Sequence, residues 1–366
     1  MKIKNAVVFM VLLCTQFPLS GGNNSEILLV SAIFRHGERT ASGFYPKDPH
    51  KIETFYPIGF GGLTNRGKFM MFKLGETLRE MYDSLLGNME LEENIYVAST
   101  NVSRTIMSAS LVLSGMRPRN KIQKWHPNLN LPSIPIDIKS GEDDSVLSPA
   151  CKTLSRELKG YYKNPTTYEK YIKPQENFFK YIQNKTGLEI NDYIDINTVY
   201  LILKGEDDYG LQLPEWTKLV YPEPIHRTAS FLYVYANLER KFREINSGYL
   251  MRKILNDMVL KVTGALEPKN RKMFLYSGHD KTVGNILSNL KVYDGSLPDY
   301  GNTVIFELHH KEGNYFVKLK YLRNPLSPTV ENLELPYCET LCLLEKFITL
   351  QEENDYIPSS PTKICN

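Results

Sequence analysis

A histidine flanked by two arginines is the first group of residues in the sequence whose types suit chemistry. His36 stands between Arg35 and Arg39 in the segment Arg35-His36-Gly37-Glu38-Arg39. An arginine guanidinium is a planar, permanently charged donor that pairs with two phosphate oxygens at a time. A histidine held between two such groups is a candidate nucleophile toward phosphorus. Gly37 tolerates positive φ, and we expect it to turn the backbone sharply toward a ligand.

A structural interpretation of the same segment is the alternative. In it, Arg35 and Arg39 pair with acidic side chains such as Glu38, and His36 is a packed, hydrogen-bonded residue without chemistry. The choice between the two depends on what the rest of the chain brings to His36.

Two later segments repeat the order of an apolar run, a short turn and a charged side chain. One run precedes a turn that leads to Arg104, and another precedes the adjacent pair His279 and Asp280. Short apolar runs bounded by turns favour strands buried in a parallel sheet, which present ligand-binding residues at their carboxyl ends. Apolar spacings of three and four after the turns predict helices. The predicted strands are residues 27–34, 95–98 and 273–276.

Other polar segments are interpreted as structural. The glycine-rich residues 59–62 lack the lysine spacing of a phosphate-binding P-loop, so they are interpreted as a flexible loop. The acidic residues 141–144 and 205–208 lack the alternating ligands of a calcium loop, which indicates solvated turns. His309 and His310 are neighbours on a predicted strand and point to opposite faces, so they are interpreted as a surface pair rather than a metal site.

Three motifs together resemble a known family. Arg-His-Gly-x-Arg at the end of an early strand resembles the histidine acid phosphatases, a branch of the histidine phosphatase superfamily that includes prostatic, lysosomal and insect venom acid phosphatases. The segment Ser-Thr-x-x-x-Arg-Thr around Arg104 and the pair His279-Asp280 match later motifs of the family. These segments occur in the family's order across nearly the whole chain after its leader.

The resemblance implies a role for each candidate residue. Four side chains hold the phosphoryl oxygens, namely Arg35, Arg39, Arg104 and His279. His36 attacks phosphorus to give a phosphohistidine intermediate, and Asp280 protonates the leaving oxygen and later accepts a proton from water. No metal and no organic cofactor is implied, because the arginines supply the positive charge that metal-dependent phosphatases take from cations.

Three positions depart from the family's pattern. Many members have aspartates where this chain has Asn101 and Ser103, which affects the support of Arg104. Lys281 replaces the threonine that often follows the His-Asp pair, on the leaving-group side of the predicted pocket.

The resemblance implies an α/β fold with a mostly parallel sheet flanked by helices, similar to phosphoglycerate mutase. The α/β catalytic domain is assigned to residues 23–135 and 250–366. Between them, residues 136–249 pass from proline-broken sequence to segments rich in Tyr, Lys and Glu at helical spacing. This stretch is interpreted as an inserted, mainly helical cap domain, in which the tyrosines pack between helices.

The first residues read as an export signal. Lys2 and Lys4 form a positive start, residues 6–14 an apolar run, and residues 20–22 a small-residue exit, so residues 1–22 are assigned as signal peptide. The run is too short to span a bilayer, and no later stretch reaches the ~20 apolar residues required. We therefore expect a soluble protein that is secreted or, alternatively, in the lysosomal lumen. A retained anchor is the competing interpretation.

Composition is that of an ordinary globular protein. The 366 residues are 42% hydrophobic and 23% charged, which suits one or two domains. The formal net charge of +3 gives no reason to propose nucleic acid or an acidic membrane surface as a partner.

The cysteines predict disulfides in an exported protein. Removal of the leader takes Cys14 and leaves Cys151, Cys338, Cys342 and Cys365, for which three pairings exist. Cys338 and Cys342 are near enough to close a small loop, which would leave Cys151 to pair with Cys365. The family resemblance supports the pairs Cys151–Cys365 and Cys338–Cys342.

Three asparagines, Asn23, Asn101 and Asn184, each begin an Asn-x-Ser/Thr acceptor for glycosylation. Asn184 follows a predicted helix in a polar stretch and is the predicted site of modification. Asn101 lies three residues before Arg104, where a glycan would obstruct the substrate.

The expected substrate is a small phosphomonoester or a phosphoprotein, and the resemblance allows a homodimer. Three alternatives remain. A mutase of the same superfamily fits poorly with an export signal and disulfides. A phytase usually has an alanine between its second histidine and a glutamate, whereas His279 and Asp280 are adjacent. A secreted binding protein that has kept the fold and lost turnover would be expected to lack some of the site residues.

Overall fold

The structure is a computed structural model that describes residues 25–87, 92–116, 134–139, 146–147, 160–161 and 163–353. One eight-stranded sheet runs through the molecule in the order β3-β2-β4-β1-β5-β6-β7, and β8 pairs with β6. The strands are β1 (Glu26–Arg35), β2 (Ile95–Thr100), β3 (Ile136–Lys139), β4 (Met273–Gly278), β5 (Thr303–Lys311), β6 (Asn314–Arg323), β7 (Thr329–Leu333) and β8 (Cys342–Leu343).

The sheet has a parallel half and an antiparallel half, which meet at β1. Strand β4 pairs in parallel with both β1 and β2, and β2 pairs in parallel with β3. Strand β1 pairs with β5 in antiparallel orientation, and β6, β7 and β8 continue that pattern. The prediction of an α/β fold with helices flanking a mostly parallel sheet is confirmed, although the antiparallel strands were not anticipated. Strand β3 also places the first residues of the segment 136–249 in the sheet.

The longer helices lie on both faces of the sheet and in the cap. They are α1 (Asn65–Met81), α2 (Ser103–Met116), α3 (Glu176–Thr186), α4 (Tyr193–Asp208), α5 (Tyr249–Val262), α6 (Asp280–Asn289) and α7 (Leu344–Glu353). Short α-helical segments are Asp83–Leu86, Pro165–Thr167, Ile225–Ser230, Leu232–Tyr235 and Arg240–Arg243. Single 3-10 turns are Ile52–Phe55, Glu92–Asn94, Lys173–Gln175 and Glu215–Leu219, and π turns are Tyr168–Ile172 and Glu244–Gly248.

Strand β1 is apolar along its length because both of its faces are covered. Leu29 and Ile33 belong to the core formed with α5, α6 and α7, whereas Val30 and Phe34 belong to the core formed with α1 and α2. Helices α1 and α2 approach closely through glycines: a Cβ on Gly75 would lie 2.0 Å from the carbonyl oxygen of Val112. Both sets of helices therefore hold β1 in a fixed place at the centre of the sheet.

The described part of the cap, within residues 160–248, contains helices and turns without a strand. The core that it shares with residues after β1 includes tyrosines, among them Tyr193, whose ring centroid lies 4.9 Å from that of Tyr235. The half-buried Tyr168 and Tyr171 pack against this core. These tyrosines pack between helices, as the sequence indicates.

The interpretation of His309 and His310 as a surface pair is wrong for His309. His309 is buried on β5, where Nε2 lies 2.9 Å from Oε2 of Glu307 and Nδ1 lies 3.1 Å from Oγ of Ser25. Glu307 is itself fully buried and also pairs with Lys320 at 2.7 Å. A buried charge without partners is costly, so the Glu307 carboxylate needs these donors. Because His309 is one of them, it lies inside the fold rather than on the surface.

Several sequence predictions concern the ends of the chain. The structure contains the disulfide between Cys338 and Cys342. Cys151, Cys365 and the signal peptide assigned to residues 1–22 lie outside the described residues. Among the helices that are described, none is both long enough and apolar enough to cross a membrane.

A buried carboxyl joins the cap to the loop that follows β1. Glu206 near the end of α4 is fully buried, so the prediction of a solvated turn over residues 205–208 is wrong, and the Asp48 carboxylate affects its pKa. The Tyr45 hydroxyl faces the same two acids. Burial and Asp48 raise the pKa of Glu206 to about 9. In the folded protein Glu206 therefore carries a proton at acid and neutral pH.

We predict that this carboxyl makes the fold less stable as pH rises. When folding raises the pKa of a group, that group stabilises the folded protein fully at pH values below its pKa in the unfolded chain, ~4.3 for Glu. The contribution is lost as pH rises toward the pKa of the group in the folded protein. Between acid and mildly alkaline buffer, the melting temperature of the wild type should fall by a few degrees more than that of Glu206→Gln. The exposed Glu215, paired with Lys218 on the surface, supplies the control Glu215→Gln. Identical pH slopes in all three proteins would contradict the assignment.

Candidate active site

The carboxyl ends of β1, β2 and β4 meet at one edge of the sheet. Arg35 ends β1 and is paired in register with Gly278, the last residue of β4. His36 and His279 follow directly, with ring centroids 5.6 Å apart. Arg104 lies in the first turn of α2, after β2, and its Nη2 is 3.5 Å from Nδ1 of His279. The residues that the sequence singled out are therefore brought together.

His36 is held as a neutral imidazole with a defined tautomer. Its Nδ1 lies 2.8 Å from the carbonyl oxygen of Gly37. A carbonyl can only accept, so Nδ1 carries the proton and Nε2 keeps a lone pair. Burial, together with the positive charges of Arg35, Arg104 and Arg39, lowers the pKa of His36 well below its ordinary value. The ring is thus unprotonated at Nε2, the state that a nucleophile requires.

Three arginines surround this imidazole without carboxylate partners. Among the described residues, no acidic side chain forms a salt bridge with Arg35, Arg39 or Arg104. Arg35 and Arg39 are almost completely buried, and the Nε atom of each of the three has no hydrogen-bond partner. Buried charges are normally paired. A cluster of unpaired guanidiniums therefore indicates a site whose counter-charge is an anionic ligand.

The structural interpretation of Arg35 and Arg39 as partners of Glu38 is excluded. Buried Glu38 instead accepts hydrogen bonds from Oγ1 of Thr64, at 2.7 Å, and from Arg66. Thr64 also caps α1 by accepting from the N–H of Gly67. Glu38 thus ties the histidine segment to the start of α1 and leaves the two arginines available.

Gly37 is required for packing rather than for a turn with positive φ. Its φ is not among the positive values in the chain, but a Cβ there would lie 2.4 Å from the carbonyl oxygen of Gly67. A Cβ on Gly67 would in turn lie 2.0 Å from the carbonyl oxygen of Glu38. The expected reason for the glycine is therefore wrong: two backbones touch here, and neither position can accept a side chain.

The glycine-rich loop of residues 59–62 is part of the site's support. Gly61 donates to the Ala41 carbonyl at 2.8 Å, and Thr40 donates both to Gly62, from its N–H, and to Gly59, from its hydroxyl. A Cβ on Gly61 would lie 3.4 Å from Nη1 of Arg104. The loop is held by hydrogen bonds beside the third arginine, contrary to the prediction of a flexible loop.

His279 orients Arg104. Its Nε2 is 3.0 Å from Oγ1 of Thr100, and its Nδ1 faces Arg104, which can only donate. Burial and the charge of Arg104 lower the pKa of His279, against the opposing effect of Asp280. His279 is therefore neutral here. A bound anion would favour its protonated form, which has a second N–H to donate.

Asp280 begins α6 directly after His279 and is buried. Its Oδ1 accepts from the N–H of Lys281 at 2.9 Å, whereas Oδ2 has no hydrogen-bond partner. Burial opposes ionisation, but the charge of Arg35 and the Lys281 N–H outweigh it and hold the pKa of Asp280 below its ordinary value. An anion bound to Arg35 would weaken that attraction and raise the pKa.

Sequence reasoning missed two residues of the site. Tyr300, in the turn before β5, places its ring 4.2 Å from the guanidinium carbon of Arg35 and 5.9 Å from the ring of His36. Ser108 accepts from the Gly37 N–H at 3.2 Å and donates to the Arg104 carbonyl at 2.7 Å. No motif surrounds Tyr300, and the helical position of Ser108 offers only the ordinary signal of a buried small residue.

The arrangement can bind a tetrahedral oxyanion against a nucleophile. The guanidinium groups of Arg35, Arg39 and Arg104 lie near the His36 ring, and the buried carboxyl of Asp280 lies on the same edge of the sheet. Within the described residues, no group of three or more His, Cys, Asp or Glu side chains is placed to hold a metal ion. The positive charge at this edge comes from arginine side chains.

Comparisons with known proteins agree with this geometry. The sequence matches the histidine phosphatase superfamily, branch 2, over residues 26–322. It is 34% identical over 350 residues to the venom acid phosphatase Acph-1 of Apis mellifera. The alignment covers 94% of this chain and 89% of the relative. It is 31% identical over 331 residues to the prostatic acid phosphatase of Homo sapiens, covering 89% and 84%. The lysosomal acid phosphatase of Homo sapiens is 30% identical over 335 residues, covering 89% and 78%.

Solved structures show the same fold. The phytase of Hafnia alvei in complex with tartrate superimposes with a TM-score of 0.68, covering 93% of this chain and 99% of that one. The multiple inositol polyphosphate phosphatase of Bifidobacterium longum with inositol hexasulfate gives a TM-score of 0.57. Because the sequence identities are 14% and 10%, these two comparisons show similarity of fold alone.

The glycosylation prediction follows from where the acceptors lie relative to this edge. Asn184 is exposed in the last turn of α3, and Asn101 is exposed in the turn that leads to Arg104. We predict that glycopeptide mapping of active protein from an insect or mammalian secretion host finds Asn184 occupied and Asn101 empty. High occupancy at Asn101 in fully active protein would show that this turn does not border the substrate path.

Proposed function

The chain belongs to the histidine phosphatase superfamily, branch 2, and from that premise we propose that it is an acid phosphatase that hydrolyses phosphate monoesters through a phosphohistidine intermediate. One observation carries the proposal: three guanidiniums that form no salt bridge within the described residues lie close enough to a neutral, oriented His36 to lower its pKa. Phosphoryl transfer depends mainly on positioning and on neutralisation of the phosphoryl oxygens, and this site offers both.

The first half of the reaction transfers the phosphoryl group to the protein. Arg35, Arg39 and Arg104 hold the phosphoryl oxygens, and Nε2 of His36 attacks phosphorus while the bond to the ester oxygen breaks. Asp280 gives its proton to the departing oxygen, so that an alcohol leaves rather than an alkoxide. His279 becomes a further donor when the bound anion favours its protonation.

The second half releases phosphate. The Asp280 carboxylate accepts a proton from a water molecule as its oxygen attacks the phosphohistidine, and the bond from phosphorus to Nε2 breaks. His36 returns to its neutral state with Nδ1 still bonded to Gly37. Proton and electron pairs balance over the cycle without a further reactant.

Acid pH suits this cycle because the pKa of Asp280 is low before substrate binds. The carboxylate must then obtain its proton in the complex. A phosphomonoester in its monoanionic form, present below a second pKa near ~6, brings that proton with it. Binding of the anion to Arg35 raises the pKa of Asp280 at the same time, so the proton is transferred toward the general acid.

The alternatives differ in measurable ways. A colorimetric phosphomonoester assay at about pH 5, near the acid range where substrate monoanions prevail, separates an enzyme from a binding protein that has lost turnover. A phytase would favour inositol phosphates over simple monoesters. The adjacency of His279 and Asp280 favours the acid phosphatase.

We also propose that the protein is exported, to the extracellular space or the lysosomal lumen. The leader of residues 1–22 supports this proposal, as do relatives named for venom, prostate and lysosome. A homodimer, allowed by the resemblance, stays a prediction that light scattering of the purified protein tests.

His36→Ala should lower turnover more than about a thousandfold, because it removes the nucleophile while leaving the core intact. Phosphate should be found on His36 in wild-type protein denatured during turnover and mapped at alkaline pH, where phosphohistidine survives. His310→Ala, a change on the half-buried edge of β5, is the control and should retain activity. Full activity of His36→Ala would refute the mechanism.

Asp280→Asn should discriminate between leaving groups. Nitrophenolate leaves without a proton, whereas an alkyl alkoxide needs one, so turnover of alkyl phosphates should fall by about 10²–10⁴-fold and that of nitrophenyl phosphate much less. Glu176→Gln changes a carboxylate that pairs with Lys180 on the surface of the cap and should affect neither substrate. Equal losses on both substrates in Asp280→Asn would remove this residue from the general-acid role.

A further inference from the structure

A tyrosine of the cap lies beside the proposed general acid. Tyr233 belongs to the short helix Leu232–Tyr235 and is almost completely buried, yet its hydroxyl has no hydrogen-bond partner. Oδ2 of Asp280 is likewise buried without a partner. After burial, the charge of Asp280 has the largest effect on the pKa of Tyr233, and together they raise it well above its ordinary value. A side-chain hydrogen bond with Asp280 also contributes to this rise, so the two side chains lie close together although neither atom has a partner of ordinary hydrogen-bond geometry.

The cap is docked onto α6 at this point. A Cβ on Gly284, one turn after Asp280, would lie 2.7 Å from Cγ of Tyr233, so the missing side chain lets the ring lie against the helix. Nδ2 of Asn237 donates to Oδ1 of Asn285 at 2.8 Å and to the Tyr233 carbonyl at 2.6 Å. These contacts fix the tyrosine relative to the helix that carries Asp280.

We propose that Tyr233 is a positioning residue that donates its hydroxyl proton in a hydrogen bond to Oδ2 of Asp280. The proposal rests on the proposed function, in which Asp280 is the general acid. The Lys281 N–H already holds Oδ1 at 2.9 Å. A second donor at Oδ2 fixes the plane of the carboxyl and stabilises the carboxylate that forms when the proton passes to the leaving oxygen. Tyr233 keeps its own proton throughout.

The expected consequence is specific to substrates that need the proton. A hydrogen bond donated to the charged form of an acid lowers the pKa of that acid. Its loss in Tyr233→Phe would raise the pKa of Asp280 and release the carboxyl from its orientation. Turnover of alkyl phosphates should therefore fall about tenfold, the order expected for one charge-assisted hydrogen bond. The pH above which that turnover declines should move upward.

The experiment measures kcat and KM of Tyr233→Phe on an alkyl phosphate and on p-nitrophenyl phosphate across the acid range. The nitrophenyl ester should be turned over at about the wild-type rate, because its leaving group needs no general acid. Wild-type protein inactive on this ester would overturn the proposed phosphatase, whereas equal losses on both esters without a pH shift would overturn the role of Tyr233 alone.

Two further variants separate positioning from cap docking. Tyr293 packs against Tyr233 with ring centroids 5.8 Å apart, and its hydroxyl donates to the Ser230 carbonyl at 2.9 Å. Tyr293→Phe removes a cap contact of similar size and should leave the ratio of the two activities unchanged. In the background Asp280→Asn, Tyr233→Phe should cause no additional loss on the alkyl ester. Additive losses in the double variant would contradict the proposal.

Discussion

The burial of Arg35 and Arg39 beside the partly buried Arg104, without a salt bridge to any acidic side chain of the described residues, is the constraint on which the rest of this structure depends. Arg35 and Arg39 repel each other and oppose protonation of His36, and burial removes the water that would screen their charges. Folding must therefore supply enough favourable packing to hold them in place. An oxyanion bound among the guanidiniums would offset this repulsion, so the cost of burying the arginines and the affinity for an anionic substrate have the same origin.

Among the described residues, the contacts that support the site place no acidic side chain in a salt bridge with Arg35, Arg39 or Arg104. Glu38, the acidic residue nearest to Arg35 and Arg39 in the sequence, accepts hydrogen bonds from Arg66 and Thr64 instead. Backbone contact at Gly37 and Gly67 sets the position of the histidine segment without any polar side chain. Carbonyl oxygens, which carry only partial charge, accept the arginine N–H groups that face inward, as in the 2.7 Å bond from Arg35 to Pro298.

Sequence reasoning identified the parallel strands β1, β2 and β4, but not β3, and the candidate residues that follow them, because hydrophobic runs and local motifs report directly on both. It failed where the reason was non-local. The role of Gly37 depends on a backbone some thirty residues away, and Tyr300 contacts Arg35 through a turn without a motif. The sequence predicts His309 at the surface because it does not show that Glu307 is buried. A buried carboxylate needs hydrogen-bond donors, and His309 supplies one of them. Spacing alone contains no information on such pairs.

The central position of β1 has a consequence for how the protein is made. This strand, residues 26–35, is the first of the strands to be synthesised. Its two neighbours in the sheet, residues 273–278 and 303–311, are synthesised much later. Both of its hydrogen-bonding edges stay unpaired until most of the chain has left the ribosome. Such long-range pairing slows folding, and an exposed apolar strand invites association between nascent chains. Shortened N-terminal fragments should therefore need chaperones, and the enzyme can be assembled only after its cap has been translated.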